Sequence, residues 1–329
     1  MFSYRHAFHA GNHADVLKHI VLVATLRHLM GKDGALTLID THAGAGIYRL
    51  DESAARTSGE ALAGIARLQA LHESPGQSSN PAPERDGQAE SAPEIEVNIL
   101  SDYLALIADF NRSTPRGQPW RVYPGSPLLM HALMSEPHRA AVRDRLRLFE
   151  LHPTDVQALH AHVAQLGAGR QVTLAREDGF EGLKSLLPPP AAARGSRRAL
   201  VLIDPSYEIK SDYARVAACI QDSLRRFPTG VFLVWHPIIA RPEAHTLARR
   251  LRTLAGQAGR AWLHATLHIG AAPDGQGLSA SGLFVINPPH TLQAGLQACL
   301  PRVQEILGEG RGRAQSWSVE VAPAPRRRD

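Results

Sequence analysis

The chain has 329 residues, 44% of them hydrophobic, enough for one large α/β domain carrying an insertion. No run of about 18 uncharged apolar residues occurs, which excludes a membrane-spanning helix, and Met1-Phe2-Ser3-Tyr4-Arg5-His6 lacks the apolar core of a leader peptide. The formal charge of +5 suits a polyanionic partner such as nucleic acid.

In chain order, residues 1–13 form a polar arm dense in histidine (His6, His9, His13), with Tyr4 and Phe8 as anchors that predict order. Asp15 to Met30 places Val16, Leu17, Ile20, Val23 and Ala24 at helical spacing, with Lys18 and His19 on the same helix. Leu36 to Asp40 is apolar or β-branched and ends on a carboxylate. Thr41-His42-Ala43-Gly44-Ala45-Gly46 follows, so a buried parallel strand runs into a glycine loop. Arg49 stands where a dinucleotide fingerprint carries its third glycine, which argues against NAD or FAD.

Thr57 to Leu71 predicts one helix, 74–93 a flexible linker rich in Ser, Pro, Gly, Gln and Glu, and Ile95 to Asn111 a further helix. Residues 50–115 thus read as a helical insertion between a first segment, 1–49, and the remainder of the main domain, 116–321. Val122 to Pro127 predicts a turn entering a helix to Met134. Strands are expected at Arg145–Leu151 (ending at Glu150), Gln171–Ala175, Ala199–Ile203, Val231–Trp235, Ala261–Ile269 and Gly282–Ile286, with helices from Thr154, Tyr213, Pro242 and Thr291. Residues 322–329 read as a disordered Pro/Arg tail. Alternating strands and helices give a doubly wound, mostly parallel α/β sheet with helices on both faces.

Asp40, Glu150, Asp178 and Asp204 all stand at or just after strand ends, so in a parallel sheet they line one crevice. A lone strand-end aspartate is more often a helix N-cap; four in register point to a site. Glu150, after the second sheet strand, matches a vicinal diol such as a ribose. Asp178 is suited to accept from an adenine amine. In Asp204-Pro205-Ser206-Tyr207 a carboxylate and the Pro205 carbonyl offer two acceptors to an exocyclic amine, with Tyr207 placed to stack on a base. Cys219 and Cys299 lie in apparent amphipathic helices and read as core thiols of a reducing compartment. No cysteine or paired carboxylate completes a zinc set with His6, His9, His13 and His19, so no metal is expected.

With these residues in place, the chain resembles class I S-adenosylmethionine-dependent amino-methyltransferases. More closely, it is similar to the family of 23S ribosomal RNA adenine-N6 methyltransferase J. The resemblance lies in the block from Tyr4 to His19, in Asp40–Gly46, Tyr123–Pro127, Glu150–Pro153, Asp178–Phe180 and Asn287–Pro289. It implies a Rossmann-like methyltransferase fold with an inserted helical subdomain. It also implies S-adenosylmethionine as cofactor, bound by His19, His42, Ser126, Glu150, Asp178, Gly179 and Asp204. Asp204 is the implied catalytic acid and Tyr4 the implied RNA contact, which joins Pro205 and Tyr207, read above from their chemistry, as expected substrate contacts. Ser206 departs from the family's Asp-Pro-Pro-Tyr motif, so a less rigid loop is expected. The expected partner is 23S ribosomal RNA, met in the cytoplasm by a monomer without membrane or metal. Two other readings use some of the same features: a DNA adenine-N6 methyltransferase, and a non-catalytic RNA-binding protein.

Overall fold

The computed structural model describes residues 5–73, 99–191, 195–270, 278–308 and 315–324. Tyr4, the 74–93 linker and residues 325–329 of the expected tail lie outside the described residues.

The first long helix, α1 (His13–Met30), is capped by Asn12, whose side-chain oxygen accepts from Ala14 N and Asp15 N at 2.9 Å each. It is buried on every side from His13 to Leu26. Four ionisable side chains lie in this stretch, His13, Asp15, Lys18 and His19, and the charged ones among them must find partners inside the protein.

Eight strands form the main sheet: β1 (Thr37–Asp40), β4 (Arg145–Phe149), β5 (Val172–Ala175), β6 (Ala199–Ile203), β7 (Val231–Pro237), β8 (Trp262–Ile269), β9 (Ala280–Ile286) and β10 (Gln315–Ala322). Their order is β10-β8-β9-β7-β6-β1-β4-β5. From β5 through β4, β1 and β6 to β7 neighbours are parallel, and β9, β8 and β10 then alternate in direction. The chain leaves β1 for β4 and β5 on one side and returns to β6 and β7 on the other, which puts the topological switch point between β1 and β6. The Ala199–Ile203 run is buried throughout because helices cover both faces. Its Leu200 and Leu202 join the core around α1, while Ala199, Val201 and Ile203 join the opposite core. The opposite core is built on α8 (Gly179–Leu186), α9 (Ser211–Arg226) and α10 (Pro242–Gln257). Cys219 in α9 and Cys299 in α11 (Leu292–Leu307) are buried free thiols, as their helices led us to expect.

Three elements differ from the sequence reading. The single helix expected over Thr57–Leu71 is three short ones: α2 (Ser53–Ser58), α3 (Glu60–Ala63) and α4 (Ile65–Glu73). Gly59 breaks the first pair with φ 66°, and at Gly64 a Cβ would stand 2.0 Å from the Gly11 carbonyl oxygen. The turn expected at Val122–Pro127 begins as β3 (Val122–Pro124), paired antiparallel with β2 (Ile47–Arg49) in a separate two-stranded sheet. Gly125 N donates to Gly46 O at 2.7 Å and ties the start of α6 (Ser126–Met134) to the glycine loop. Strand β10 was not expected, and it takes in Ala322 from the presumptive tail. It closes the sheet edge because Trp317 and Val319 alternate with polar residues and pack on the core around α1.

The segment 53–110 ends in α5 (Ile99–Phe110). Ile65, Leu68, Tyr103 and Ile107 share their core with Leu17 of α1, so this segment is fastened to the helix that carries Lys18. Among the described residues no helix is long and apolar enough to cross a membrane.

Candidate active site

A cavity of about 710 Å³ opens at the carboxyl ends of β1, β4, β5, β6 and β7, with α1 and its N-terminal approach forming another wall. The switch point places it there: loops on either side of β1 and β6 part and leave a crevice.

Glu150 follows β4 (Arg145–Phe149) directly. Its Oε2 accepts from Gly44 N at 2.8 Å and its Oε1 from His152 N at 2.7 Å. Each carboxylate oxygen keeps a lone-pair direction for a ligand hydroxyl. Burial raises the Glu150 pKa, against the pull of these backbone donors. Residue 44 must be glycine: φ is 62°, and a Cβ would meet the Tyr48 hydroxyl at 2.2 Å. Asp178 caps α8 through Phe180 N at 3.0 Å and pairs with Arg215 through its other oxygen. Burial pushes the Asp178 carboxyl upward, but Arg215 and the capping bonds prevail and hold it low. At Gly179 a Cβ would lie 2.0 Å from Thr41 O, so only glycine lets the β5 and β1 loops meet.

Asp40 does not line the cavity with the other three acids. It is wholly buried beneath the glycine loop, where Ser126 Oγ donates to it at 2.6 Å and His42 N at 3.2 Å. Burial pushes its pKa up to about 7. Strand alternation could not have told a residue on the cavity wall from one under its floor.

Asp204 ends β6 at the cavity. Lys18 Nζ donates to its Oδ2 at 2.6 Å and stands 2.7 Å from Asp15 Oδ1. Asp15 Oδ2 takes Gly11 N and His6 Nε2, each at 2.9 Å. Burial alone would lower the Lys18 pKa, but Asp15 and Asp204 outweigh it and keep the ammonium charged. Asp15 is likewise driven well below the usual carboxylate range by His6 and Lys18, despite its burial. Lys18, Asp15 and His6 line the cavity as well, although spacing assigned none of them a place beside Asp204. The available signal was a Lys and an Asp three apart in the first half of a helix rich in apolar residues.

His19 Nδ1 lies 2.7 Å from the Tyr123 hydroxyl, and that hydroxyl lies 3.0 Å from Tyr103 Oη. Burial lowers the imidazole to about 3, so the ring is neutral. Its Nε2 is buried with no hydrogen-bond partner among the described residues. His42 lies edge-on to Phe180, its ring centroid 4.9 Å away, and burial lowers it to about 4. Ser126, Gly179 and Pro205 all line the cavity. Tyr207 lines it too, but its ring is only 2% exposed. Its backbone sits at φ 55° and its hydroxyl donates to Trp235 O at 2.6 Å. That hydrogen bond ties the residue after Ser206 to β7. Asn287, in the similar Asn-Pro-Pro sequence, is away from the cavity and donates instead to Pro228 O and Gly230 O.

The sequence matches the family model described as ribosomal RNA large subunit methyltransferase D, RlmJ, over residues 33–80 and 87–319. Ribosomal RNA large subunit methyltransferase J of Escherichia coli is 37% identical over 97% of this chain and 99% of its own. The protein of the same name from Haemophilus influenzae is 36% identical over 97% of this chain and 98% of its own. A crystal structure of a protein from Legionella pneumophila matches with a TM-score of 0.73 at 28% identity, covering 97% of this chain and 99% of that one.

Proposed function

The chain belongs to the RlmJ family of ribosomal RNA large subunit methyltransferases, and we propose that it methylates the exocyclic N6 of an adenine in 23S ribosomal RNA, using S-adenosylmethionine. The observation that carries the choice of atom is the Asp204 carboxylate, held through one oxygen by Lys18 and followed at once by the Pro205 carbonyl. An exocyclic amine has two N–H groups and a lone pair delocalised into its ring. Two acceptors on those N–H groups draw the nitrogen toward tetrahedral geometry and free the lone pair.

The donor set fits the cofactor. Glu150 keeps lone pairs for the two ribose hydroxyls, and the orphaned Nε2 of buried His19 calls for a polar partner. Asp178 and Gly179 would hold the adenine end, with His42, Ser126 and Asp204 completing the pocket. S-adenosylmethionine, when bound, supplies an electrophilic methyl carbon on sulfur. Asp204 Oδ1 makes no hydrogen bond among the described residues, so it accepts one N6 proton while Pro205 O accepts the other. The proton that N6 loses on methylation passes to Asp204, which suffices as a base because a protonated N6 is strongly acidic. Lys18 orients the carboxylate and supplies its counter-charge throughout.

The target adenine must leave its stack to reach Asp204. Exposed Arg5 and Arg241 are suited to RNA phosphates, and Tyr4, next to Arg5, would meet the base. We take the protein to act in the cytoplasm as a monomer without a metal. The experiment is tritium transfer from labelled S-adenosylmethionine, with unmodified 23S RNA and adenine-containing DNA offered side by side. N6-methyladenosine in RNA alone is the expected product. Label in DNA, or in neither, would favour the DNA-enzyme or RNA-binding reading.

A further inference from the structure

Ile209 is an apolar side chain mounted rigidly in water. It is 61% exposed, while Tyr207 before it and Tyr213 after it are buried. It belongs to the cavity lining together with Pro205, Ser206 and Glu208, just beyond Asp204. Its backbone is fixed on both sides. Asp212 N donates to the Ile209 carbonyl at 2.9 Å where α9 begins, and Tyr207 is locked through Trp235. Charges of both signs adjoin it: exposed Glu208 precedes it, exposed Lys210 follows it and stands 3.8 Å from Glu243, and exposed Arg241 is part of the same lining.

An exposed isoleucine gives the fold little, yet this one is held on the loop that presents Asp204, in a lining that also includes exposed Arg241. We propose that Ile209 is a wedge that enters the RNA base stack as the target adenine leaves it. The proposal rests on the reading that the chain methylates an adenine in RNA. Apolar side chains inserted between base steps offset the unstacking that base extraction requires. Tyr207 cannot fill that gap, because its ring is committed to the core. Leu151 is also exposed at the cavity, but it follows Glu150 beyond the end of β4, a strand separated from β6 by β1. Ile209 is the exposed apolar residue on the loop that presents Asp204.

The test compares Ile209→Ala with the unaltered protein on folded, unmodified 23S RNA and on a short single-stranded oligoribonucleotide carrying the target sequence. We expect kcat/KM to fall about tenfold or more on folded RNA and to change little on the single strand, where the adenine is already unstacked. Ile209→Leu should restore most of the loss, and Val321→Ala, an exposed apolar residue on β10, should change neither substrate. A folded RNA fragment with 2-aminopurine at the target position should brighten on binding the unaltered protein and brighten less with Ile209→Ala. Equal kinetics on folded RNA, an equal loss on both RNAs, or undiminished brightening would each overturn the wedge alone. Failure of the unaltered protein to methylate either RNA would overturn the underlying reading and the wedge with it.

Discussion

Lys18 and Asp204 meet at 2.6 Å although 186 positions separate them in the chain. The contact joins a buried helix to the end of a buried strand, and Asp15 closes it from the far side at 2.7 Å. One ammonium between two carboxylates is a network in which each charge depends on the others.

Removing the ammonium should therefore affect folding and chemistry together. Lys18→Met leaves Asp15 and Asp204 without their shared counter-ion, which should cost about 3–5 kcal/mol of stability. Methyl transfer should fall by about 10²-fold or more. Lys18→Arg, which keeps the charge, should recover part of both. Denaturant midpoints and initial rates on RNA check the pair, and a Lys18→Met protein of full rate would detach Lys18 from Asp204 chemistry.

Glu150 has two tasks, holding the glycine loop through Gly44 and offering its remaining lone pairs to a ribose. Glu150→Gln should weaken S-adenosylmethionine binding by about 1.5–3 kcal/mol, the scale of hydrogen bonds to a charged group. Titration calorimetry on the purified variant measures this directly. Unchanged affinity would remove Glu150 from the cofactor site.

Acid should destabilise the protein early. Burial lowers His13, His42 and His236 to about 4 and His19 and His264 to about 3. The unfolded chain takes up protons near pH 6.5, while the folded protein holds these rings neutral. Their contribution is complete above about pH 6.5 and is lost progressively as pH falls toward 4. Asp40, Glu150, Asp102, Asp212 and His9, shifted upward, act in the opposite sense, but His28, His131 and His268 are lowered as well and leave them outnumbered. Urea midpoints should drop between about pH 7 and pH 5; a flat profile would contradict the neutral buried rings.

Asp40 carries the reverse dependence on its own. Its folded value of about 7 lies above the ordinary 3.8, so between those values the native state holds a proton that the unfolded chain has released. Stability is then lost as pH rises through that window. Asp40→Asn keeps an acceptor for Ser126 and removes the titration. Its advantage over the unaltered protein should grow from about pH 4 to pH 7, reaching about 1–3 kcal/mol, and then level off. An advantage that shrinks with rising pH would contradict the buried carboxyl.

Local patterns carried most of the sheet strands and the acids at their ends, because a short apolar run such as Ala199–Ile203, β-branched in part and stopped by Asp-Pro, reads as a strand buried on both faces. The motif around Asp204 was legible for the same reason: it begins where that run stops. What spacing could not give was long-range contact. Gly64 interrupts a helical pattern only because the Gly11 carbonyl lies against it. Lys18 belongs to Asp204 only because α1 crosses the end of β6. Tyr207 read as a free stacking ring, and its burial against Tyr213 and Trp235 depends on a helix and a strand that come later in the chain. Strand β10 was within reach, since Trp317, Val319 and Val321 alternate with Ser318 and Glu320.

The most direct measurement is methyl transfer by Asp204→Asn. The substitution keeps the side-chain volume, and Asp15 remains to hold Lys18. Tritium incorporation from S-adenosylmethionine into unmodified 23S RNA would be followed, with nucleosides identified after digestion. The account predicts a protein that unfolds cooperatively as the unaltered one does, with transfer reduced by about 10²–10⁴-fold and any residual product being N6-methyladenosine. A fully active Asp204→Asn protein, or a product other than N6-methyladenosine from the unaltered enzyme, would contradict it.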